Sequence, residues 1–199
     1  MAEQRYQACQ ASPETQPDNQ TDSPIPQAVN VTIELLALDR NAWGQFAEAP
    51  AVFAAEHALT IGAEPDLLRT VGQQTVALLE RTGATTPWTG YLAFDRAGQV
   101  IIGTCAFTAP PDSEGVVEVA YFTFPPFEGR GYASAMAASL VERAERATEV
   151  SRVRAHTLPE RNASTRILEK LGFERIGEVM DPEAGPVWRW DRRRPGNEP

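Results

Sequence analysis

Glu128-Gly129-Arg130-Gly131-Tyr132-Ala133-Ser134 places two glycines and an arginine directly ahead of a segment with helical periodicity. That combination suits anion binding. The first N–H groups of a helix lack intrahelical acceptors, and the helix dipole adds partial positive charge at the same end. Gly129 and Gly131 have no Cβ, so a phosphate can approach the main chain closely. Upstream, Glu118 lies on a β-rich run that leads into the loop, where its carboxylate could accept a proton.

A strand, Gly-x-Gly and a helix could equally form a dinucleotide-binding fingerprint. Three details weigh against it: its third small residue would be Ser134, Pro125-Pro126-Phe127-Glu128 makes the connection too long for a tight turn, and three antiparallel strands precede it. No Gly-Lys-Ser/Thr follows the glycines, which argues against a P-loop.

The elements that must position these residues follow from periodicity. A first strand is expected over Val31–Leu38, then a helical region through Ala54 and a longer helix over Glu64–Arg81. Thr86–Phe94 and Gln99–Phe107 flank Asp95-Arg96-Ala97-Gly98, a hairpin signal, and Val116–Phe124 completes a three-stranded meander. The organisation then changes to helix Tyr132–Ala147, strand Val153–Thr157, helix Ala163–Leu171, and strands Glu174–Met180 and Val187–Asp191. Ala133, Met136, Ala137, Leu140, Val141 and Ala144 form a core-facing stripe. Gly172 reads as a left-handed C-cap signal, with Phe173 packing back onto its helix. The fold class is mixed α/β (α+β) with a mixed sheet.

The chain has 199 residues, which suits one domain over 31–191. Residues 1–30 are rich in Gln, Pro, Ser, Asp and Glu and are expected to be a disordered tail, with 192–199 a flexible C-terminal tail. Arg192-Arg193-Arg194 is read as part of that solvated end. The start of the chain lacks an apolar signal run and no stretch reaches the roughly twenty apolar residues of a membrane span, so a cytoplasmic protein without membrane partners is expected. Net charge is −9, which disfavours nucleic acid as a partner and mildly favours a cationic substrate. Cys9 and Cys105 stand alone, as do His57 and His156, so neither a disulfide framework nor a metal site is expected.

The glycine loop resembles the pyrophosphate-binding motif of the GNAT superfamily of acyl-CoA N-acyltransferases, Gln/Arg-x-x-Gly-x-Gly/Ala. The similarity continues through Asn162-Ala163-Ser164-Thr165 and Leu171-Gly172-Phe173 to Pro186-Val187-Trp188-Arg189-Trp190, as in the RimJ/RimL-like branch. The resemblance implies a mostly antiparallel twisted sheet flanked by helices, with a splayed strand pair binding acetyl-CoA, and no metal. Its pantetheine arm would pair with the main chain of Tyr121, Phe122, Thr123 and Phe124, and core packing of the Phe122 and Phe124 side chains can hold alongside it. Its pyrophosphate would sit on N–H groups of Gly129, Arg130, Gly131, Tyr132, Ala133 and Ser134, with Asn162 and Thr165 reaching the pantetheine or thiol end. Glu128 departs from the motif, where Gln or Arg usually stands; the family uses this position mainly through its backbone.

The implied reaction is transfer of an acetyl group to a primary amine, on a small molecule or a protein N-terminus, by direct attack. An N–H near Phe122 or Thr123 would polarise the thioester carbonyl. Glu118 would take the amine proton directly or through water; pairing with an arginine or plain solvation explains it equally well. The position that carries a tyrosine acid in many relatives is Glu169, leaving Thr165, a water or Tyr121 to protonate the thiolate. Where some protein-acetylating relatives carry a catalytic Glu, this chain has Thr157, and the adjacent His156 is read as structural. The missing tyrosine keeps a second reading open, a non-catalytic acyl-CoA-binding or regulatory module. The acceptor is expected near the segment between the first two helices and the 181–186 turn. A homodimer is compatible with the sequence, which carries no sign of it.

Overall fold

A computed structural model describes residues 31–182 and 184–194. The N-terminal tail, residues 195–199 and Glu183 lie outside the described residues. In chain order the elements are β1 Ile33–Ala37, α1 Arg40–Glu48, α2 Pro50–Glu56, β2 Thr60–Ile61, α3 Pro65–Thr82, β3 Gly90–Asp95, β4 Val100–Phe107 and β5 Val116–Thr123. A 3-10 turn at Pro125–Phe127 then leads to α4 Tyr132–Arg146, β6 Arg152–Thr157, α5 Ala163–Lys170, β7 Glu174–Asp181 and β8 Gly185–Arg193.

The sheet runs β1-β3-β4-β5-β6-β8-β7, with β2 added beside β4. Its pairs are antiparallel except β5–β6 and β2–β4. The expected meander is present as β3, β4 and β5, and its first turn is held by Asp95, whose Oδ2 accepts the Gly98 N–H at 2.7 Å. From β5 the chain crosses over through α4, and a crossover is what a parallel neighbour such as β6 requires.

Local chemistry sets most boundaries. Asp39 caps α1 by accepting the Ala42 N–H at 2.8 Å, while Pro50 starts α2 and divides the expected single helical region in two. β3 begins at Gly90 rather than Thr86, since Pro87 has no N–H for a ladder and residues 85–88 close a turn through Trp88 N–H to Thr85 C=O. Gly172 has φ +76°, and Phe173 is buried with its N–H on Leu168 C=O at 3.0 Å.

Adjacent residues such as Tyr91 and Leu92, or Ile101 and Ile102, are all buried, because the centre of the sheet is covered on both faces. One core gathers Val117, Val119 and Tyr121 under the α4 stripe of Met136, Ala137, Leu140, Val141 and Ala144. The opposite core gathers Trp43, Phe46, Phe53, Leu68 and Phe124 under α1 to α3.

The basic C-terminal triplet corrects the expectation of a solvated end. β8 runs to Arg193, Arg192 pairs with Glu145 at 2.8 Å and donates to Leu171 C=O, and Arg194 donates to Ala147 C=O at 3.0 Å.

Candidate active site

The loop from β5 to α4 takes its shape from its glycines. Gly129 has φ +72° and Gly131, the N-cap of α4, has φ +90°, a region that L side chains rarely adopt. Among the described residues no side chain caps α4, and its first main-chain bond is Ala135 N–H to Gly131 C=O at 3.1 Å. The N–H groups of Tyr132, Ala133 and Ser134 therefore precede the helical ladder and are directed out of its end. A Cβ built on Gly129 would meet nothing within 4 Å, and one on Gly131 only Val31 at 3.8 Å, so the space above the loop is open.

That space continues as a cleft of about 230 Å³ between the loop, Thr123 and α5, where Arg166 and Lys170 add positive charge. Arg130 lies 5.7 Å from the centroid of the Phe127 ring. Tyr132 turns its ring into the core and donates to Asp95 at 3.2 Å, so it can meet an anion through its main chain alone. Partial burial pushes the Glu128 carboxyl upward, and Glu128 also lines the cleft.

Below the loop, β5 and β6 part. Pairing joins Val116 to Arg152, Val117 to Val153 and Glu118 to Arg154, and the rest of β5 has no pairing with β6. On its other edge β5 is fully zipped to β4, with Phe124 N–H on Ile102 C=O and Thr108 N–H on Glu118 C=O, both at 2.9 Å. Hydrogen-bonded residues alternate along an antiparallel pair, so the main chain of Glu118, Ala120, Phe122 and Phe124 turns to β4. That of Val119, Tyr121 and Thr123 turns to the opening.

This parity corrects the expectation for Phe122 and Phe124, whose main chains face the wrong strand. Phe124 is fully buried in the α1–α3 core with Phe122 at its edge, so packing is their role. Thr123, not Phe122, presents its N–H where a carbonyl could sit, and Val119 joins Tyr121 in lining the opening.

Thr123 Oγ1, on the cleft wall, and Asn162 Nδ2, at the N-cap of α5 next to cleft-lining Ala163, are buried and have no hydrogen-bond partner among the described residues. Asn162 uses its other side-chain atom to cap α5, Oδ1 accepting the Thr165 N–H at 3.1 Å. Its amide NH₂ is thus left to donate to a guest. Thr165 does not fit the expected acid role. Its hydroxyl donates to Asn162 C=O at 2.9 Å and accepts the Asn162 N–H at 3.1 Å, which completes a capping box.

At the vertex, Glu118 is paired with neither an arginine nor solvent alone. Its Oε1 lies 3.0 Å from His156 Nδ1 on β6. The neighbouring Arg154 is committed to Asp191 at 2.8 and 3.1 Å. Burial favours protonation of Asp191, but bonds from Arg154, with Arg189 and Arg152 nearby, outweigh it and hold its carboxyl below the usual range. Thr157 is engaged in both directions, accepting from Trp190 and donating to Leu158 C=O. Glu169 faces solvent and pairs with Arg161 at 3.1 Å. His156, read from the sequence as structural, is the residue the fold brings against Glu118; it stands on β6 two residues beyond Arg154, hence on the same face.

Of the expected acceptor region, Thr60 and Ile61 are tied to the sheet as β2, and Gly62 sits against Phe127 with no room for a Cβ.

Residues 33–174 match the family model described as "Acetyltransferase (GNAT) domain". The chain is 29% identical over 83 residues to the uncharacterized N-acetyltransferase p20 of Bacillus licheniformis, covering 42% of this chain and 47% of that protein. It is 27% identical over 96 residues to the uncharacterized N-acetyltransferase YjdG of Bacillus subtilis, covering 48% and 57%. The matched part thus spans about half the length of these curated relatives. Among solved structures, a RimL ribosomal L7/L12 α-N-protein acetyltransferase in complex with coenzyme A superposes with a TM-score of 0.57 at 17% identity, covering 84% of this chain and 96% of that one. The aminoglycoside acetyltransferase AAC(6')-Ib in complex with coenzyme A gives 0.58 at 21% identity, covering 82% and 95%. These superpositions show a shared fold, and because the family model spans more than half of its length, the chain belongs to the GNAT acetyltransferase family.

Proposed function

We propose that the protein is an acetyl-CoA-dependent N-acetyltransferase acting on a primary amine by direct attack. The observation that carries this reading is an uncapped helix end beside parted strands, with Thr123 Oγ1 on β5 and Asn162 Nδ2 at the N-cap of α5 both buried and without a hydrogen-bond partner among the described residues. The first suits a diphosphate and the second a chain of amides. Acetyl-CoA as cosubstrate supplies the activated thioester; no metal is assigned a role.

The N–H groups of Gly129 to Ser134 hold the diphosphate. Main-chain groups of Tyr121 and Thr123 hold the arm, Asn162 donates to it, and the Thr123 N–H steadies the oxyanion that forms as the amine adds. The proton-accepting group at the vertex includes Glu118. The thiolate leaves protonated by water or by Tyr121. Acetyl-CoA is a cytoplasmic metabolite, and we place the protein there. The neighbours include an enzyme for a ribosomal protein N-terminus and one for an aminoglycoside, and both acceptor classes fit this reading.

A second reading, a non-catalytic acyl-CoA-binding module, draws on one finding: Glu169 faces solvent and the Thr165 hydroxyl is used in a cap, so neither supplies an acid. Calorimetric titration with acetyl-CoA followed by thiol release over an amine panel decides. Binding with amine-dependent release is expected. No binding at millimolar acetyl-CoA would overturn both readings, and binding without release from any amine would leave the module.

A further inference from the structure

We propose that His156 is the catalytic residue that takes the amine proton, with Glu118 as its positioning residue. The inference deepens the acetyltransferase reading and rests on it. A carboxylate only accepts, so the 3.0 Å contact requires the hydrogen on His156 Nδ1. In the neutral ring Nε2 then carries the lone pair, and it has no hydrogen-bond partner among the described residues. This is the arrangement in which a carboxylate fixes an imidazole as a base.

Placement supports the role. Glu118 is the last β5 residue in register with β6, and His156 is the next residue on that face of β6 after Arg154, just past the point where the strands part. Val153, Ala155 and Thr157 are buried on the other face of the strand. The His156 side chain is 15% exposed and Glu118 26%, enough shelter to hold the pair and enough opening for an amine to reach it. Arg154 and Arg152 hydrogen-bond Asp191 and Arg189 lies 3.9 Å from it, so Arg154, the cross-strand neighbour of Glu118, acts on it through space while its hydrogen bonds go to Asp191.

The step balances as follows. Nε2 takes one proton from the ammonium form of the acceptor, and the freed lone pair forms the C–N bond as the carbonyl electrons move to oxygen. When those electrons return, the C–S bond breaks. The second proton leaves nitrogen and ends on the thiolate, and the proton on His156 passes to solvent.

The test uses the full chain. His156→Ala is expected to lower kcat about 10²-fold with the KM for acetyl-CoA unchanged, and added imidazole to restore at least about tenfold of the loss. A variant kcat within threefold of the parent would overturn the proposal, and so would a loss that imidazole leaves in place while acetyl-CoA still binds. Nitrogen-15 NMR of the unmodified protein, which has two histidines, gives an independent reading. The neutral Nδ1–H tautomer is expected for His156, reverting to the mixture of a free ring in Glu118→Ala; an Nε2–H tautomer in the parent would overturn the proposal even if the variants fail to fold. A parent protein that binds acetyl-CoA and acetylates nothing would instead sink the reading beneath it.

Discussion

Replacing Glu128 by glutamine should tighten coenzyme A binding, although the change removes a side chain that lines the cleft. Glu128 stands three residues before the N-cap Gly131 and lines the same cleft, so we take a separation on the order of 8 Å between its carboxylate and a bound diphosphate. At an effective dielectric of roughly 40 for a half-exposed site, that separation costs about 1 kcal/mol per phosphate charge. Screening at 0.15 M salt, where the Debye length is about 8 Å, leaves about 0.4 kcal/mol per charge, or about fourfold in affinity for two charges. At about 10 mM salt the screening length reaches about 30 Å and the gain should grow to about fifteenfold. The sign with pH is equally defined. Burial already raises the Glu128 carboxyl, and a dianion beside it raises it further, so binding favours its protonated form. Affinity should rise as pH falls through the upper carboxylate range, and Glu128→Gln should remove that part of the slope. The assay is calorimetric titration at two salt concentrations, with pantetheine, which lacks the diphosphate, as control. Unchanged or weaker binding of coenzyme A, or an equal gain with pantetheine, would refute the placement of the diphosphate.

Gly131→Val should weaken coenzyme A binding more than tenfold, since φ +90° strains any L side chain and the helix-end N–H groups would be re-aimed; Arg130→Ala should have a smaller, salt-sensitive effect, and equal losses in titration would argue against main-chain capture. Asn162→Ala should cost about 1 kcal/mol through loss of the cap, read as a lower Tm, whereas Asn162→Asp should keep the Tm and still lose cofactor affinity because Nδ2 is gone. Asp191→Asn should destabilise the protein by about 3 kcal/mol at neutral pH, because three arginines lose their shared partner. The folded carboxyl titrates below its unfolded range, so this stabilisation is present above the ordinary carboxylate range and lost as pH falls through the depressed value; urea denaturation midpoints against pH should flatten at the acid end in the variant.

What the amino-acid order determined by itself was local. The left-handed glycines of the loop, the α4 stripe, the Gly172 stop and the Asn162 cap each depend on residues within a turn or two, so their chemistry is written in neighbouring letters. The capping box of Asn162 and Thr165 is local too, although reading the sequence assigned those two residues to the cofactor and the thiolate proton instead. Tertiary structure decided everything that depends on register. A shift of one residue between β4 and β5 would exchange the main chain of Thr123 for that of Phe122 at the opening, and no periodicity within β5 distinguishes the two. The contact of Glu118 with His156 spans 38 residues and that of Arg192 with Glu145 spans 47, joined only because the α4 crossover lays β6 beside β5 and the later return of the chain inserts β8 between β6 and β7. Period-2 patterning says which face a strand residue shares; which strand supplies its neighbour is settled only when the sheet assembles.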